Sequence, residues 1–412
     1  MVGEAENTSR NSNMFSNPTL YDLNDDELEK NIGVIIFIGI LMILGLLGNI
    51  NTIFIYLNKY KPSNYRTFIL CLAIVDLATC CFSMPVSLIT LRFPLMFPYD
   101  KVCQGFWFLT YSMCIGSSFI LVTIAADRYR KICVPHGAQL SVRMAKYICI
   151  LVLLLASAFS WPCIILFGNK RYEIPKHNVN GTGCYYNDEF RNTNYPAKYN
   201  YFLLFILLVT FVALLLIYVL IGKRLLHIKG KGRSNIQLSE QTEARHMDIR
   251  NLDNTDNSST TESQKTSVAR HHMTETSEVS TCLSSPDGAA DMKPFQCKQD
   301  KTRIPPKQVN RKKLSKLKGR RSVTIIKILL IMTIVSFVSF LPNLILSIIT
   351  LEHDDFLTKL SFTETSVYQI FYFCFYINNV AFPIIYGLCD TKFSKETRKL
   401  YSIIVPPCFK GY

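Results

Sequence analysis

The sequence is poor in charged residues. Only 18% of its 412 residues are Asp, Glu, Lys or Arg, whereas 49% are hydrophobic. Soluble domains usually carry about 25% charged residues. The shortfall is uneven, because long charge-free apolar runs alternate with short polar gaps. This pattern argues against an ordinary soluble domain and indicates a membrane protein.

Several function classes lack their sequence signatures. There is no His-Glu-x-x-His, Walker loop or nucleophile elbow, so no enzyme activity, metal or cofactor is expected. The absence of an internal repeat disfavours a transporter built from duplicated halves. The net charge of +15 comes mostly from residues 223–321, with 21 basic and 11 acidic residues. Basic residues are expected there beside an anionic lipid bilayer, so nucleic acid is not an expected partner.

Seven apolar runs are long enough to span a bilayer. A spanning helix needs about 20 mostly apolar residues, because the hydrocarbon core is about 30 Å thick. The strands of a membrane barrel are excluded, since they are shorter and alternate polar with apolar residues. The sequence therefore predicts an all-α fold, a seven-transmembrane helix bundle. The predicted spans are 33–57, 68–91, 106–129, 147–168, 199–222, 323–350 and 365–388.

The charges around the runs predict the orientation. Residues 1–32 hold two basic and seven acidic residues, whereas the gaps after the first and third runs are basic. Basic loops mark the cytoplasmic side. We therefore expect a multi-pass plasma membrane protein with its N terminus outside and its C terminus inside. Residues 1–32 show no cleavable signal pattern, so the first helix is expected to be an uncleaved anchor.

The expected organisation has five parts. Residues 225–321 are rich in Ser, Thr, Asn, Asp and Gln, and a segment of this composition is expected to be disordered. Its basic end, RKKLSKLKGRR, could extend the sixth helix. The parts are an extracellular tail (1–32), helices 1–5 with their loops (33–224), a disordered third intracellular loop (225–321), helices 6–7 (322–388), and an amphipathic helix with a cytoplasmic tail (389–412).

The final part carries a lipidation candidate and an amphipathic pattern. Cys408 is a candidate for palmitoylation. In the short amphipathic helix that follows the seventh run, Phe393, Leu400 and Ile403 are expected to face lipid, and neighbouring lysines are expected to meet headgroups.

Two of the 14 cysteines lie clearly outside the membrane, Cys103 before the third run and Cys184 in the long outer loop. Most of the others lie within spans or on the cytosolic side, where thiols stay reduced. Two such cysteines are expected to form a disulfide that ties the loop over the bundle. The same topology predicts glycosylation at Asn7 and Asn180, which begin Asn-Thr-Ser and Asn-Gly-Thr.

Ionisable residues inside a span are costly, and each is a candidate functional residue. Asp76 lies well inside the second run. Two interpretations fit it: a carboxylate solvated by buried water and amides, or a cation or proton site. Three polar residues lie at depths from which they could face it: Asn49, Ser117 and Asn378.

Short motifs stand on the runs in a fixed order: GNINT with Asn49, LAIVDL with Asp76, Cys103 with Cys184, Asp-Arg-Tyr at 127–129, FLPN with Pro342, and FPIIY with Pro383 and Tyr386. Taken together, they resemble the rhodopsin-like, class A, G protein-coupled receptors, and most of all invertebrate-type neuropeptide receptors. The resemblance covers all seven runs. It implies an extracellular ligand, a heterotrimeric G protein, arrestin and receptor kinases as partners, and Na⁺ near Asp76.

The resemblance implies a role for the adjacent Asp127 and Arg128. In such receptors the arginine is held by the aspartate when the receptor is off. Activation moves the sixth helix outward and frees the arginine to meet the G protein and Tyr218. A plain helix-end ion pair at the lipid interface is the alternative. The resemblance also assigns activation roles to Tyr129, Phe340, Pro342, Pro383 and Tyr386.

The sequence departs from the family pattern at several positions. The usual Asn before the proline of the seventh run is Phe382, which removes a hydrogen-bonding group beside Asp76. The usual Trp before the proline of the sixth run is Phe340, and the usual proline of the fifth run is Thr210. An atypical or decoy receptor with weak G protein coupling is therefore an alternative.

The ligand type follows partly from missing residues. Amine receptors carry an aspartate where this chain has Thr110, and light-sensing members carry a lysine that the seventh run lacks. The long outer loop favours a neuropeptide, with a small molecule as the alternative. The acidic outer surface is either merely solvated or suited to a cationic ligand. The candidate ligand-binding residues are Thr110, Tyr111, Asn343, Tyr372 and Tyr376.

Overall fold

The computed structural model describes residues 19–174, 179–190, 193–255, 311–353 and 355–404. Among these residues, seven helices are long and apolar enough to cross a membrane, which confirms the predicted all-α seven-helix fold. A shorter helix, α8, follows them at Thr391–Ile404. The seven are α1 (Leu20–Lys59), α2 (Asn64–Arg92), α3 (Asp100–Cys133), α4 (Val142–Leu166), α5 (Tyr195–Thr255), α6 (Arg311–Glu352) and α7 (Phe362–Cys389).

Three of the helices change geometry along their length. In α2 the chain forms a π turn at Thr79–Ser83, and in α7 it forms a 3₁₀ turn at Cys374–Tyr376. In α4 the α-helical hydrogen bonding is interrupted at Pro162, which has no backbone N–H to donate. Pro342 lies inside α6 and Pro383 inside α7. Each lacks the backbone N–H as well, and therefore weakens its helix locally. These are the points at which the spans can bend.

The first helix begins earlier than predicted, so the expected boundary of the tail at residue 32 was wrong. Thr19 and Asp22 form a capping box at its start. The amides of Asn24 and Asn31 are buried and donate to the backbone carbonyls of Arg92 and Leu91 at 3.3 and 3.2 Å. These polar residues, which were assigned to a solvated tail, therefore hold α1 against the last turn of α2.

The expected disorder of residues 225–321 was also partly wrong. The helix α5 continues to Thr255, and α6 already begins at Arg311. Extending an existing helix adds one hydrogen bond per residue without a new nucleation cost, so a polar composition does not end it. The basic RKKLSKLKGRR segment extends the sixth helix, and residues 256–310 lie outside the described residues.

A β-hairpin, absent from the sequence prediction, follows α4. Its strands are β1 (Phe167–Ile174) and β2 (Val179–Tyr186), paired antiparallel with Phe167 opposite Tyr186. The structure contains the expected disulfide between Cys103 and Cys184, which joins β2 to the start of α3. We call this end of the bundle the hairpin end and the opposite one the Arg128 end.

The buried side chains form one apolar cluster near each end of the bundle. Many large apolar side chains instead point outward, as lipid-facing residues do; Leu151, for example, is 65% exposed. Small residues let the helices approach closely. A Cβ atom at Gly48 of α1 would lie 2.8 Å from Cβ of Pro383 in α7, so these two helices are in backbone-close contact.

The short helix α8 is held by the bundle through Phe393, so the expectation that Phe393 faces lipid was wrong. Phe393 is 1% exposed, and its ring centroid lies 5.9 Å from that of Tyr56 in α1. Lys392 also donates to the Lys59 carbonyl at 2.9 Å. Leu400 is half-buried, and Ile403 lies among the residues whose side chains are not described.

Candidate functional site

A small cavity of about 50 Å³ lies among α3, α5, α6 and α7 near the hairpin end. Pockets for whole drug-sized ligands are about 300–1,000 Å³, so this cavity has room for only a small group of a larger ligand. Three predicted ligand residues, Thr110, Tyr111 and Asn343, line it, and no lining residue in the described part of the chain is charged. The other lining residues are Trp107, Cys114, Ile115, Ser118, Leu203, Ile206, Leu207, Thr210, Phe340, Leu344 and Phe375.

Some polar groups of the lining form hydrogen bonds within the described residues, and others do not. The Thr110 hydroxyl donates to the Phe106 carbonyl at 2.7 Å, and the Asn343 amide donates to the Tyr372 carbonyl at 2.8 Å. The indole N–H of Trp107 and the hydroxyl of Tyr111 are buried and have no partner among the described residues. A buried polar group without a partner costs about 1–3 kcal/mol, so these two groups favour a ligand that hydrogen-bonds to them.

The hairpin covers the cavity with aromatic rings. Phe167 stacks on Trp107 with 4.7 Å between ring centroids, and on Tyr186 with 4.3 Å. Asn200 of α5 donates to the Tyr186 hydroxyl at 2.7 Å. Burial raises the pKa of Tyr186 well above its ordinary value, so this ring stays neutral. The cap is therefore apolar and fixed to α5 as well as to α3.

The sequence missed the aromatic cap. Trp107 lies one helical turn before Tyr111, so the helical period alone could have identified it. No comparable signal marked Phe167 and Tyr186, because only strand pairing brings the two ends of the outer loop together.

Two predicted ligand residues stand behind the lining rather than in it. Tyr372 meets the Trp107 ring edge-on, with 6.2 Å between centroids, and its carbonyl accepts the Asn343 amide. Tyr376 is fully buried and shares a 2.7 Å hydrogen bond with Ser87 of α2. Both support the wall of the cavity.

Asp76 is fully buried halfway along the bundle. Ser117 donates to one of its carboxylate oxygens at 3.4 Å, and the other oxygen has no partner among the described residues. Two other residues expected near it bond elsewhere. Asn49 donates to the Asn379 carbonyl at 2.9 Å, and Asn378 accepts from Ser336 at 2.5 Å.

The Arg128 end carries the predicted ion pair. Asp127 is 2% exposed and lies 3.2 Å from the Arg128 guanidinium and 2.8 Å from the Lys131 ammonium. Asn64 of α2 donates to the same carboxylate at 3.2 Å. The Arg128 guanidinium also lies over the ring of Tyr65, 4.6 Å from its centroid. The sequence analysis missed the contacts of Asn64 and Tyr65, because it interpreted the Asp-Arg-Tyr motif within α3 alone.

The remaining activation candidates are spread between these sites. The Tyr218 hydroxyl bonds to Thr333 of α6 at 2.9 Å. Tyr386 is buried and meets Tyr56 edge-on at 6.1 Å, whereas Tyr129 next to Arg128 is half-buried. Phe340 lines the cavity, and Pro342 and Pro383 lie within their helices.

The predicted modification sites are only partly within the described residues. Asn180 is exposed on β2. Asn7 and Cys408 lie outside the described residues, so glycosylation and palmitoylation at these positions stay predictions.

Comparison with known proteins agrees with the geometry. The family described as 7 transmembrane receptor (rhodopsin family) matches residues 48–386. The chain is 26% identical over 207 residues to Probable G-protein coupled receptor 34 of Pan troglodytes, covering 47% of this chain and 50% of the relative. It therefore spans about half the length of that relative.

Two further relatives are named as peptide receptors. The chain is 30% identical over 129 residues to the Octopressin receptor of Octopus vulgaris, covering 31% of this chain and 30% of the relative. It is 29% identical over 162 residues to Neuropeptide FF receptor 2 of Mus musculus, covering 36% of each chain.

Proposed function

The chain belongs to the rhodopsin family of seven-transmembrane receptors, and from this premise we propose that it converts binding of an extracellular neuropeptide into activation of a heterotrimeric G protein. The family is one of plasma membrane receptors, not of enzymes. The observation that carries the proposal is that α3 contributes both to the cavity, through Tyr111, and to the opposite end, through Arg128. The two residues are about 25 Å apart along one helix.

A signalling step needs two arrangements of the Arg128 end. Arg128 pairs with Asp127, while Tyr218 bonds to α6 rather than to Arg128. This corresponds to the off arrangement expected from the family. In the proposed mechanism, a ligand in the cavity shifts the population toward an arrangement in which α6 moves outward and Arg128 is released.

The proposal of a peptide ligand rests on the peptide receptors among the relatives and on the capped cavity. A peptide would contact the hairpin and insert one end beside Trp107 and Tyr111. Because no described lining residue is charged, the inserted end should be uncharged, and a charged one would lose hydration without gaining a partner. A small molecule is the alternative, since the cap formed by Phe167 leaves a cavity of limited size.

Signalling is tested with the Arg128→Ala variant. We expect wild-type receptor expressed in cells to give second-messenger output when challenged with a peptide library, and to give some output without ligand. In the Arg128→Ala variant, both the ligand-induced and the ligand-free output should fall at least tenfold. The substitution removes an arginine that contacts the G protein and leaves the distant cavity intact. Second-messenger assays at matched surface expression measure the loss.

A labelled hit from the library provides the control, since it should bind the Arg128→Ala variant with unchanged affinity. Binding without output from either protein would support the decoy alternative, for which Phe382 is the motivating residue. Output that Arg128→Ala leaves unchanged would contradict the proposed role of Arg128.

We also propose that the hairpin end is extracellular and the Arg128 end cytoplasmic, as the charge distribution predicts. Asn180 on the exposed face of β2 should then carry a glycan. We expect Asn180→Gln to lower the apparent mass by one glycan, and Asn7→Gln by another, in gel-shift assays with and without glycosidase. Asn257 also begins a glycosylation sequence, Asn-Ser-Ser, in the segment between α5 and α6. A glycan on Asn257 would place that segment outside and contradict the orientation.

The Asp76 site fits the Na⁺ that the family implies. Hard cations bind oxygen ligands, and the carboxylate of Asp76 offers a buried oxygen without a partner, beside the Ser117 hydroxyl. These two residues would hold the ion, which would supply a positive charge for the buried carboxylate. A carboxylate solvated by buried water is the alternative.

Further partners follow from the family alone. Receptor kinases and arrestin would act at the Ser- and Thr-rich segment between α5 and α6, most of which lies outside the described residues. A palmitate on Cys408 would attach the tail beyond α8 to the inner leaflet.

A further inference from the structure

The start of α2 is a rigid support placed directly beside the Arg128 end of α3. Ser63 caps α2 by accepting from the Arg66 backbone N–H at 3.3 Å. The Arg66 side chain donates to the carbonyls of Tyr56 and Leu57 at 2.7 and 2.9 Å, which satisfies the last turns of α1. The short turn between α1 and α2 is therefore fixed from both sides, and so are the residues that follow Ser63.

Two consecutive residues of this support contact the two members of the ion pair. Asn64, which is 4% exposed, donates to Asp127 at 3.2 Å and to the Leu140 carbonyl at 2.8 Å. Tyr65 presents its ring face to the Arg128 guanidinium at 4.6 Å. The first contact orients the carboxylate, and the second attracts the guanidinium by a cation–π interaction.

The Tyr65 ring is itself held by an aromatic neighbour. Tyr56 of α1 meets it edge-on with 6.5 Å between centroids. Tyr56 also meets Tyr386 of α7 at 6.1 Å and Phe393 of α8 at 5.9 Å. The face offered to Arg128 thus depends on contacts with helices at both ends of the chain.

Nothing of opposite charge on α6 competes for Arg128, since the sequence has no Asp or Glu between Arg311 and Leu351. Asp127 is shared, because Lys131 lies closer to it than Arg128 does, at 2.8 Å against 3.2 Å. The Asp127 carboxylate therefore does not bind Arg128 alone, because Lys131 competes for it. The Tyr65 ring is the second group that holds the Arg128 guanidinium.

We propose that Tyr65, supported by Tyr56, is a positioning residue that retains Arg128 in the off arrangement and thereby sets the level of ligand-free signalling. This inference rests on the proposed function for its signalling consequence. The structural part of the inference is measured separately: the Tyr65 ring restrains Arg128 and thereby favours the closed position of α6.

The test compares Tyr65→Leu, which removes the ring, with Tyr65→Phe, which keeps it. The matched control is Tyr147→Leu, the same substitution at a tyrosine of α4 that is 61% exposed. Spin-labelled unnatural amino acids at positions 144 and 327, both exposed, report the distance between α4 and α6 by pulsed electron resonance. Nucleotide exchange on a panel of purified G proteins, without ligand, reports signalling.

We expect Tyr65→Leu to raise ligand-free exchange about fivefold, the size of one cation–π contact in a two-state equilibrium, and to increase the population with the longer α4–α6 distance. Tyr65→Phe should stay closer to wild type than Tyr65→Leu does, and Tyr147→Leu should match wild type. If Tyr65→Leu does not reach the membrane, Tyr65→Met supplies the same loss of the ring face.

The outcomes separate the two proposals. A longer α4–α6 distance in Tyr65→Leu with no exchange on any G protein would support the restraint and count against the proposed coupling. The restraint by Tyr65 would be overturned if ligand-free nucleotide exchange by the wild-type receptor required Arg128 but the α4–α6 distance stayed unchanged in Tyr65→Leu. Equal effects of Tyr65→Leu and Tyr65→Phe would overturn it too, because the ring face would then be irrelevant.

Discussion

Cys103→Ser and Cys184→Ser should each abolish most of the ligand response, and to the same degree. The disulfide closes a sequence separation of 81 residues, for which the chain-entropy model gives about 4.5 kcal/mol of stabilisation. It is also the covalent link between the hairpin and α3, so its loss releases the cap formed by Phe167 and Tyr186. Surface expression and second-messenger output of the two single variants and the double variant measure the effect.

Equal effects of Cys103→Ser and Cys184→Ser are what distinguish loss of a shared disulfide from loss of two unrelated side chains. The exposed free cysteine Cys81 provides the control, and Cys81→Ser should behave as wild type. The double variant should be no worse than either single one, since each single variant already removes the one covalent link between the hairpin and α3. A silent Cys103→Ser beside a severe Cys184→Ser would show that the pairing is wrong.

Phe382→Asn, which introduces the usual residue of the family, should destabilise the receptor rather than improve its coupling. Phe382 is 1% exposed within the apolar cluster of the Arg128 end. Emptying the space of a buried phenyl ring costs about 3–5 kcal/mol, and the new amide must find partners in apolar surroundings. Thermal unfolding of the purified receptor in detergent should show a midpoint lowered by several degrees.

The control for this substitution is Phe382→Leu, which keeps an apolar side chain and should cost less. An unchanged midpoint together with stronger G protein activation in Phe382→Asn would contradict the prediction. The amide would then have found Asp76 as its partner, and the phenyl ring would not be an essential part of the packing.

The predictability of this fold varies with the physical origin of each feature. The spans were predictable because a bilayer requires long apolar runs regardless of tertiary contacts. The start of α1 was not predictable, since Asn24 and Asn31 are polar residues whose burial depends on carbonyls in the last turn of α2. The hairpin was missed for the same reason, because its strands are defined by each other.

The candidate sites show the same division. Asp127 and Arg128 were identified because they are adjacent in the sequence. Thr110 was identified by comparison with amine receptors, and Tyr111 and Asn343 because they lie in the outer part of their runs. The contact of Tyr65 with Arg128 joins two helices, and a single sequence contains no signal for it. Asn49 and Asn378 lie at the depth expected, but helix packing gives them other partners than Asp76.

The uncharged lining of the cavity bears on which ligands the protein can tell apart. A pocket of hydrocarbon walls discriminates weakly between homologues, since one methylene changes affinity only about 10- to 200-fold at most. The two donors on Trp107 and Tyr111 act differently, because a ligand that lacks the matching acceptor leaves them buried and unpaired. Selection should therefore be tolerant of side-chain length and strict about the acceptors that face these two donors, so relatives of the natural ligand that keep those acceptors should also activate this receptor.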